Sequence, residues 1–171
     1  QISVASVVFA ALGAGALHSA SRWGLLAAAA CIQLRLLCNL FDGMVAVEGG
    51  KQSTLGALYN EFPDRIADSL FLVAAGYAAG LSGWGWAAAL LAALTAYVRT
   101  FGASLGNGHD FRGPMAKQHR MALLTAACVL QALPFSPHWV LGSALIVIAV
   151  GAALTCATRT LALARALHAR S

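Results

Sequence analysis

The chain is a succession of hydrophobic segments separated by short polar or turn-forming stretches. A transmembrane helix needs about 20 mainly apolar residues, and each segment is of that order. The breaks between segments are rich in glycine, proline, asparagine and serine, which are typical of turns. The pattern predicts six helices, at residues 2–20, 23–46, 54–80, 83–106, 115–133 and 138–166.

The composition indicates that the bilayer is the solvent of this chain. Of the 171 residues, 60% are hydrophobic and only 10% are charged, whereas a soluble domain is roughly 25% charged. A small soluble fold cannot bury so much apolar surface, because its surface grows nearly as fast as its volume. We therefore expect an all-α polytopic membrane protein with a single transmembrane domain at residues 1–171. Since Gln1 is not a methionine, we also expect some residues to precede it.

The distribution of charge predicts the orientation of the helices. The net charge is +5, and basic residues concentrate on alternate connections and on the C-terminal tail. By the positive-inside rule, both termini lie in the cytoplasm. These charges suit anionic lipid head groups, and no nucleic-acid partner is expected because aromatic and basic residues are not interleaved. The basic residues concerned are Arg112, Lys117, Arg120, Arg159, Arg165 and Arg170.

The acidic residues are concentrated in one short part of the chain. Five of the six lie within 27 positions, from Asp42 to Asp68. Ionisable groups at membrane depth are costly unless they are paired or hydrated, so they indicate a functional site. Two alternatives remain: a structural set of carboxylates neutralised by Arg35 and Arg65, or carboxylates that line the path of a small cation transporter.

Polar and small residues recur every three to four positions on the second and third predicted helices, so each set lies on one helix face. A short connection joins the two helices, and we expect antiparallel neighbours whose polar faces meet near the cytoplasmic surface. Crowded oxygen ligands of this kind suit Mg²⁺, Mn²⁺ or Ca²⁺ better than zinc. The two faces comprise Asn39, Asp42, Gly43 and Ala46, and Gly56, Asn60, Asp64 and Asp68.

The same stretch carries a long motif with fixed gaps. Residues 39–47 read NLFDGMVAV, residues 56–60 read GALYN, and Asp64 follows four positions later. Together, residues 39–64 resemble the signature of the CDP-alcohol phosphotransferases, D-x2-D-G-x2-A-R-x8-G-x3-D-x3-D, and every gap matches. The chain departs from the signature at three positions, with Asn39 and Asn60 in place of aspartate and Val47 in place of arginine.

The resemblance implies a membrane enzyme, usually a homodimer, that binds a CDP-linked donor with divalent cations, Mg²⁺ or Mn²⁺. Such an enzyme transfers a phosphatidyl group from CDP-diacylglycerol to the hydroxyl of a small alcohol and releases CMP, as in phospholipid biosynthesis. The expected location is a bacterial inner membrane, with the active site on the cytoplasmic side.

The resemblance also implies a role for each matched position. Asp64 would act as general base, because a carboxylate beside a hydroxyl can take its proton as attack proceeds. The small residues would leave room for the nucleotide of the donor. The implied metal ligands are Asn39, Asp42, Asn60 and Asp64, and the small residues are Gly43, Ala46 and Gly56.

The two asparagines leave the number of cations open. Neutral Asn39 and Asn60 remove two negative charges, so the site holds one or two ions, and Glu61 or Asp68 are candidate auxiliary acids. A register shifted by four residues would make Asp64 and Asp68 the last acidic pair, although it loses the glycine of the motif. A catalytically degenerate relative, which binds a nucleotide-lipid or a cation without turnover, is the alternative function.

Basic residues outside the motif are candidates for phosphate binding. Lys51 or Arg35 would replace the arginine that is usual at Val47 in contacting the donor. Another group would contact the phosphate of an acceptor or a lipid head group, although ordinary positive-inside anchors have the same composition. This second group is Arg99, Lys117 and Arg120. The sequence does not identify the acceptor alcohol.

Overall fold

The computed structural model describes the backbone at residues 2–19, 21–48 and 54–170, and the side chains at 5–19, 21–41, 44 and 61–170. Within these ranges the chain is helical and contains no strand. The predicted all-α class and the order of the elements are confirmed, with ends that differ by a few residues. The helices are α1 (Ile2–His18), α2 (Arg22–Glu48), α3 (Thr54–Ala78), α4 (Ser82–Ser104), α5 (Lys117–Ala132) and α6 (Val140–His168).

The helices pack as a closed ring in the order α1, α2, α5, α6, α4 and α3. The sequence predicts α2 and α3 as direct neighbours, whereas α1 packs extensively against both of them and separates most of their length. Gly13 explains how α1 fits there: a Cβ at this position would lie 2.5 Å from the Phe71 ring on α3 and 2.9 Å from Cys31 on α2. A residue without a side chain lets α1 approach both helices closely.

The outer surface of the described helices is apolar. Large hydrophobic side chains such as Trp23, Leu90 and Phe135 are exposed, and soluble monomers rarely present extended apolar patches of this kind. The buried core is built largely from alanines together with Phe71 and a few aliphatic residues. Length and composition make three described helical stretches candidate membrane spans, Arg22–Phe41, Ser82–Ser104 and Val140–His168.

A tight turn joins α3 to α4 and holds the two helices together. Gly80 has a φ of 69°, and the N–H groups of Gly80 and Leu81 donate to the carbonyls of Tyr77 and Gly76. This arrangement satisfies the last carbonyls of α3. Beyond the turn, a Cβ at Gly85 would lie 2.8 Å from the Cα of Gly76, so the two backbones touch directly.

The connection from α4 to α5 is fastened to α6. Thr155 on α6 accepts a hydrogen bond from the backbone N–H of Met115 at 3.0 Å. One turn further along α6, Arg159 donates to the carbonyls of Arg112 at 2.7 Å and of Thr95 at 2.9 Å. These contacts fix the end of the connection, and therefore the place where α5 begins.

The glycine contact between α3 and α4 leads to a stability prediction. Gly85→Ala should lower the free energy of unfolding by about 1–3 kcal/mol, because the added methyl group overlaps backbone atoms of α3. Gly15→Ala is the matched control, since a Cβ at Gly15 meets nothing within 4 Å. Thermal unfolding of both purified variants in detergent measures the difference. Equal midpoints for the two variants would contradict the backbone contact.

Candidate functional site

Two turns of α2 face two turns of α3 at the polar end of the bundle. Arg35 places its Nη2 atom 2.9 Å from Oδ1 of Asp64 and 2.8 Å from Oδ1 of Asp68. Asn39, one turn further along α2, donates a hydrogen bond from Nδ2 to the same Oδ1 atom of Asp64. Because residues four apart share a helix face, each helix contributes two neighbouring side chains to this cluster.

The first turn of α5 completes the cluster. Lys117 donates from Nζ to Oδ2 of Asp64. Arg120, three residues later, places Nη2 3.2 Å from Oδ2 of Asp68 and donates from Nη1 to the carbonyl of Met115 at 3.0 Å. Three helices, α2, α3 and α5, therefore meet at two carboxylates, and each carboxylate bridges α2 and α5.

The two carboxylates have different environments. Asp68 is 2% exposed between two arginines, Arg35 and Arg120, that are themselves fully buried. Charges at such depth are tolerated when they are paired, and removing one partner is strongly destabilising. The side chain of Asp64 is 13% exposed and lies beside Lys117, whose side chain is 25% exposed. Asp68 is thus part of the frame, and Asp64 is the carboxylate that a ligand can reach.

A second ion-pair group lies next to this cluster. Arg99 on α4 places Nη2 2.6 Å from Oε1 of Glu61 on α3, and Arg65 approaches the same oxygen at 3.2 Å. The Arg99 guanidinium also lies over the ring of Phe111, 5.3 Å from its centroid, which is a favourable cation–π distance. Glu61 is therefore neutralised twice, and Arg99 is held in one orientation.

The basic side chains surround a small cavity between α3, α4, α5 and α6. Its volume is about 100 Å³. Since the cations around it outnumber the nearby carboxylates, the cavity is suited to an anionic group such as phosphate. Its cationic lining residues are Arg65, Arg99, Lys117, Arg120 and Arg159.

Arg159 is the functional candidate that the sequence analysis missed. The charge pattern assigned it to the C-terminal tail, yet it lies within α6, is 6% exposed and lines the cavity. An arginine that follows a long apolar run within one helical segment is the signal that identifies such a residue.

Asp110 and Arg112 form a pair in the connection between α4 and α5, with 3.1 Å between Arg112 Nε and Asp110 Oδ1. Burial alone would raise the pKa of Asp110, but hydrogen bonds from the backbone N–H and the side chain of Arg112, together with the charges of Arg112 and Arg159, lower it below its ordinary value. Asp110 is therefore ionised at neutral pH and paired locally.

The predicted site residues fall into two groups. Asn39, Asp64 and Arg35 lie together in the cluster with Asp68, Lys117 and Arg120. Glu61 and Arg99 lie alongside it. Another group falls outside the described side chains, although most of its members lie in α2 or α3: Asp42, Gly43, Ala46, Lys51, Gly56 and Asn60.

The described residues of the cluster offer few free ligands to a metal ion. Among the described residues, no three His, Cys, Asp or Glu side chains form a group that could hold an ion. A carboxylate offers about four lone-pair sites. Three of those on Asp64 already accept hydrogen bonds, from Asn39, Arg35 and Lys117. The described residues therefore do not fit a centre of two cations, and they leave one position at Asp64 for a ligand.

Neither a family model nor a curated protein matches the chain. Solved structures do match it. The crystal structure of Mycobacterium tuberculosis phosphatidylinositol phosphate synthase (PgsA1) in complex with manganese and citrate superposes with a TM-score of 0.78, at 17% identity, over 95% of this chain and 82% of that chain. The same synthase with CDP-DAG bound superposes with a TM-score of 0.78 at 17% identity, over 95% of this chain and 86% of that chain. The apo form of the synthase superposes with a TM-score of 0.73 at 20% identity, over 94% of this chain and 87% of that chain.

The chain has the fold of this synthase. The synthase is a CDP-alcohol phosphotransferase, so the family resemblance predicted from residues 39–64 is confirmed at the level of the fold. Together with the apolar candidate spans, the match identifies the chain as an integral membrane protein.

The buried pairing of Asp68 leads to a second stability prediction. Asp68→Asn should lower the free energy of unfolding by about 3–5 kcal/mol, because it leaves buried Arg120 without its counter-charge and leaves buried Arg35 with Asp64 alone. Arg112→Gln removes an exposed ion pair, and such a pair contributes about 0–1 kcal/mol, so its midpoint should stay close to wild type. Thermal unfolding in detergent compares the two. A mild effect of Asp68→Asn would show that Arg35 and Arg120 are hydrated in the folded protein.

Proposed function

We propose that this chain transfers a phosphatidyl group from CDP-diacylglycerol to the hydroxyl of a small alcohol and releases CMP, in phospholipid biosynthesis. The observation that carries the proposal is the position of Asp64. It is the last residue of the signature, it is the partly exposed carboxylate of the cluster, and it borders the basic cavity through Lys117. The fold match to a synthase solved with CDP-DAG bound supports the same donor class.

Asp64 serves as the general base in this proposal. The acceptor hydroxyl gives its proton to Asp64 as its oxygen attacks the phosphorus that carries diacylglycerol. A new phosphodiester bond forms, and the bond from that phosphorus to the CMP oxygen breaks. Arg35 and Asn39 hold Oδ1 of Asp64 through hydrogen bonds. The acceptor hydroxyl therefore reaches Oδ2, where it exchanges with the ammonium group of Lys117.

The donor site is assigned by the signature. Asp42, Asn60 and Asp64, with Asn39, are the proposed ligands of a divalent cation, Mg²⁺ or Mn²⁺, which would offset the diphosphate charge and stabilise the leaving CMP. Gly43, Ala46 and Gly56 give the nucleotide room, and Lys51 is the proposed phosphate contact. Arg35 is fully buried and paired with two carboxylates, so we assign it to positioning Asp64.

The acceptor is proposed to carry a phosphate group of its own. Five cationic side chains line a cavity of about 100 Å³ beside Asp64, and guanidinium groups bind phosphate through paired N–H donors. A phosphate held by Arg99, with Lys117 and Arg159 nearby, would leave the alcohol of the same molecule within reach of Asp64. We further propose a homodimer in a bacterial inner membrane, with this cavity and both termini on the cytoplasmic side.

A relative without turnover is the second candidate function. One observation favours it: Asn39, Arg35 and Lys117 all engage Asp64, so the carboxylate is already neutralised. A general base must exchange such partners for the acceptor hydroxyl during each turnover. Activity that appears only after Asn39 and Asn60 are both changed to aspartate would favour this second candidate.

The catalytic proposal predicts CMP release. Purified protein in lipid with Mn²⁺ and CDP-diacylglycerol should release CMP when a panel of small alcohols and alcohol phosphates is added. Asp64→Asn should reduce the rate by about 10²–10⁴-fold, because general base catalysis contributes that much. Asp110→Asn, which changes a locally paired carboxylate in the α4–α5 connection, should retain the rate. No CMP release with any acceptor, and no effect of Asp64→Asn, would refute the enzyme.

The acceptor proposal predicts a selective change in KM. Arg99→Gln should raise KM for a phosphorylated acceptor by about 10–100-fold, since it removes a charged hydrogen bond worth about 1.5–3 kcal/mol. Arg165→Gln removes an exposed arginine on α6 and is the control. Initial rates at varied acceptor concentration give both constants. An equal rise for acceptors with and without phosphate would argue against phosphate binding by Arg99.

A further inference from the structure

We infer that each chain binds a single divalent cation, and that the ammonium group of Lys117 and the amide of Asn39 take the place of a second one beside Asp64. The inference rests on the cation in the proposed function and deepens it, because it assigns how this chain neutralises its carboxylates with its own residues.

Asn39 removes the need for an ion between α2 and α3. Its Nδ2 atom donates directly to Oδ1 of Asp64. A carboxylate at the same position would face another carboxylate at hydrogen-bond distance, and two such charges require a proton or a cation between them. The amide replaces this repulsion with an attractive contact, so the two helices close without a bridging ion.

Lys117 supplies a cation from within the chain. Its ammonium group lies on Oδ2 of Asp64, opposite the side that Arg35 and Asn39 occupy. An ion with full access to Asp64 would have to displace this ammonium group from the carboxylate. One lone-pair site of Asp64 remains, which allows one coordination bond and no bridge between two ions.

The local charge balance points in the same direction. Three described carboxylates in this region, Asp64, Asp68 and Glu61, face five cationic side chains at hydrogen-bond or ion-pair distance. This described group carries a net positive charge before any metal binds. A first divalent ion already increases this charge, and a second would be repelled by the first and by the arginines. The cationic side chains are Arg35, Arg65, Arg99, Lys117 and Arg120.

Counting bound Mn²⁺ tests the inference. The purified full chain in detergent is titrated with Mn²⁺, and electron paramagnetic resonance measures the free ion, with no donor or acceptor present. Wild type should bind one Mn²⁺ per chain. The double variant Asn39→Asp/Lys117→Met should bind two, since it creates a second carboxylate and removes the internal cation.

Two further variants separate the specific contact from net charge. Lys117→Arg keeps the positive charge and should still bind one ion. Asn107→Asp/Arg165→Met makes the same change in charge outside the cluster, and it should also bind one. Thermal unfolding of every variant confirms that the counts refer to folded protein.

Several results would overturn the inference. Two ions or none on wild type would do so, as would one ion on the folded Asn39→Asp/Lys117→Met variant or two on the variant outside the cluster. The outcome is separable from the catalytic proposal. A chain that binds one Mn²⁺ without releasing CMP keeps this inference and refutes the transferase, whereas two bound ions with CMP release do the reverse.

Discussion

Two buried arginines from different helices hold one buried aspartate, and this arrangement determines where the rest of the site lies. Arg35 on α2 and Arg120 on α5 both contact Asp68 on α3. None of the three charges tolerates separation in a low-dielectric interior, because an unpaired buried ion costs several kcal/mol. The three helices are therefore fixed relative to one another at this depth. Asp64, one turn earlier on α3, is placed at the boundary between this interior and the basic cavity.

The order of the helices explains why these groups meet. Although α2 and α3 are consecutive, α1 separates most of their length, and α5 closes the ring beside α2. The start of α5 is set by Thr155 and Arg159 on α6, which bind the end of the connection from α4. The position of Lys117 against Asp64 therefore depends on contacts made by two other helices. A change in α6 would reach the site through this connection.

The excess of positive charge distinguishes the site from a simple cluster of acids. Glu61 and Asp68 are each paired with two arginines, so neither is a free auxiliary acid in the arrangement described. The positive charge that these carboxylates do not neutralise faces the cavity, where it suits anionic groups on both proposed substrates. The same excess limits how many metal ions the site can accept, since every added cation must be stabilised by the same few carboxylates.

The sequence alone determined the six helices, the apolar outer surface, and the placement of Asn39 and Asp64 on two helix faces that meet. These features are set by local hydrophobic periodicity and by the gaps of the motif, and both are properties of residues that lie within a few helical turns of one another. Only the tertiary structure decided that Asp68 is buried and Asp64 is not, because both lie on one face of α3 and differ in what packs over them. It also brought Lys117 and Arg120 to carboxylates 53 and 52 positions away, and Arg159 to the cavity. Such contacts depend on the order in which helices pack, and the spacing of residues within one helix carries no information about that order.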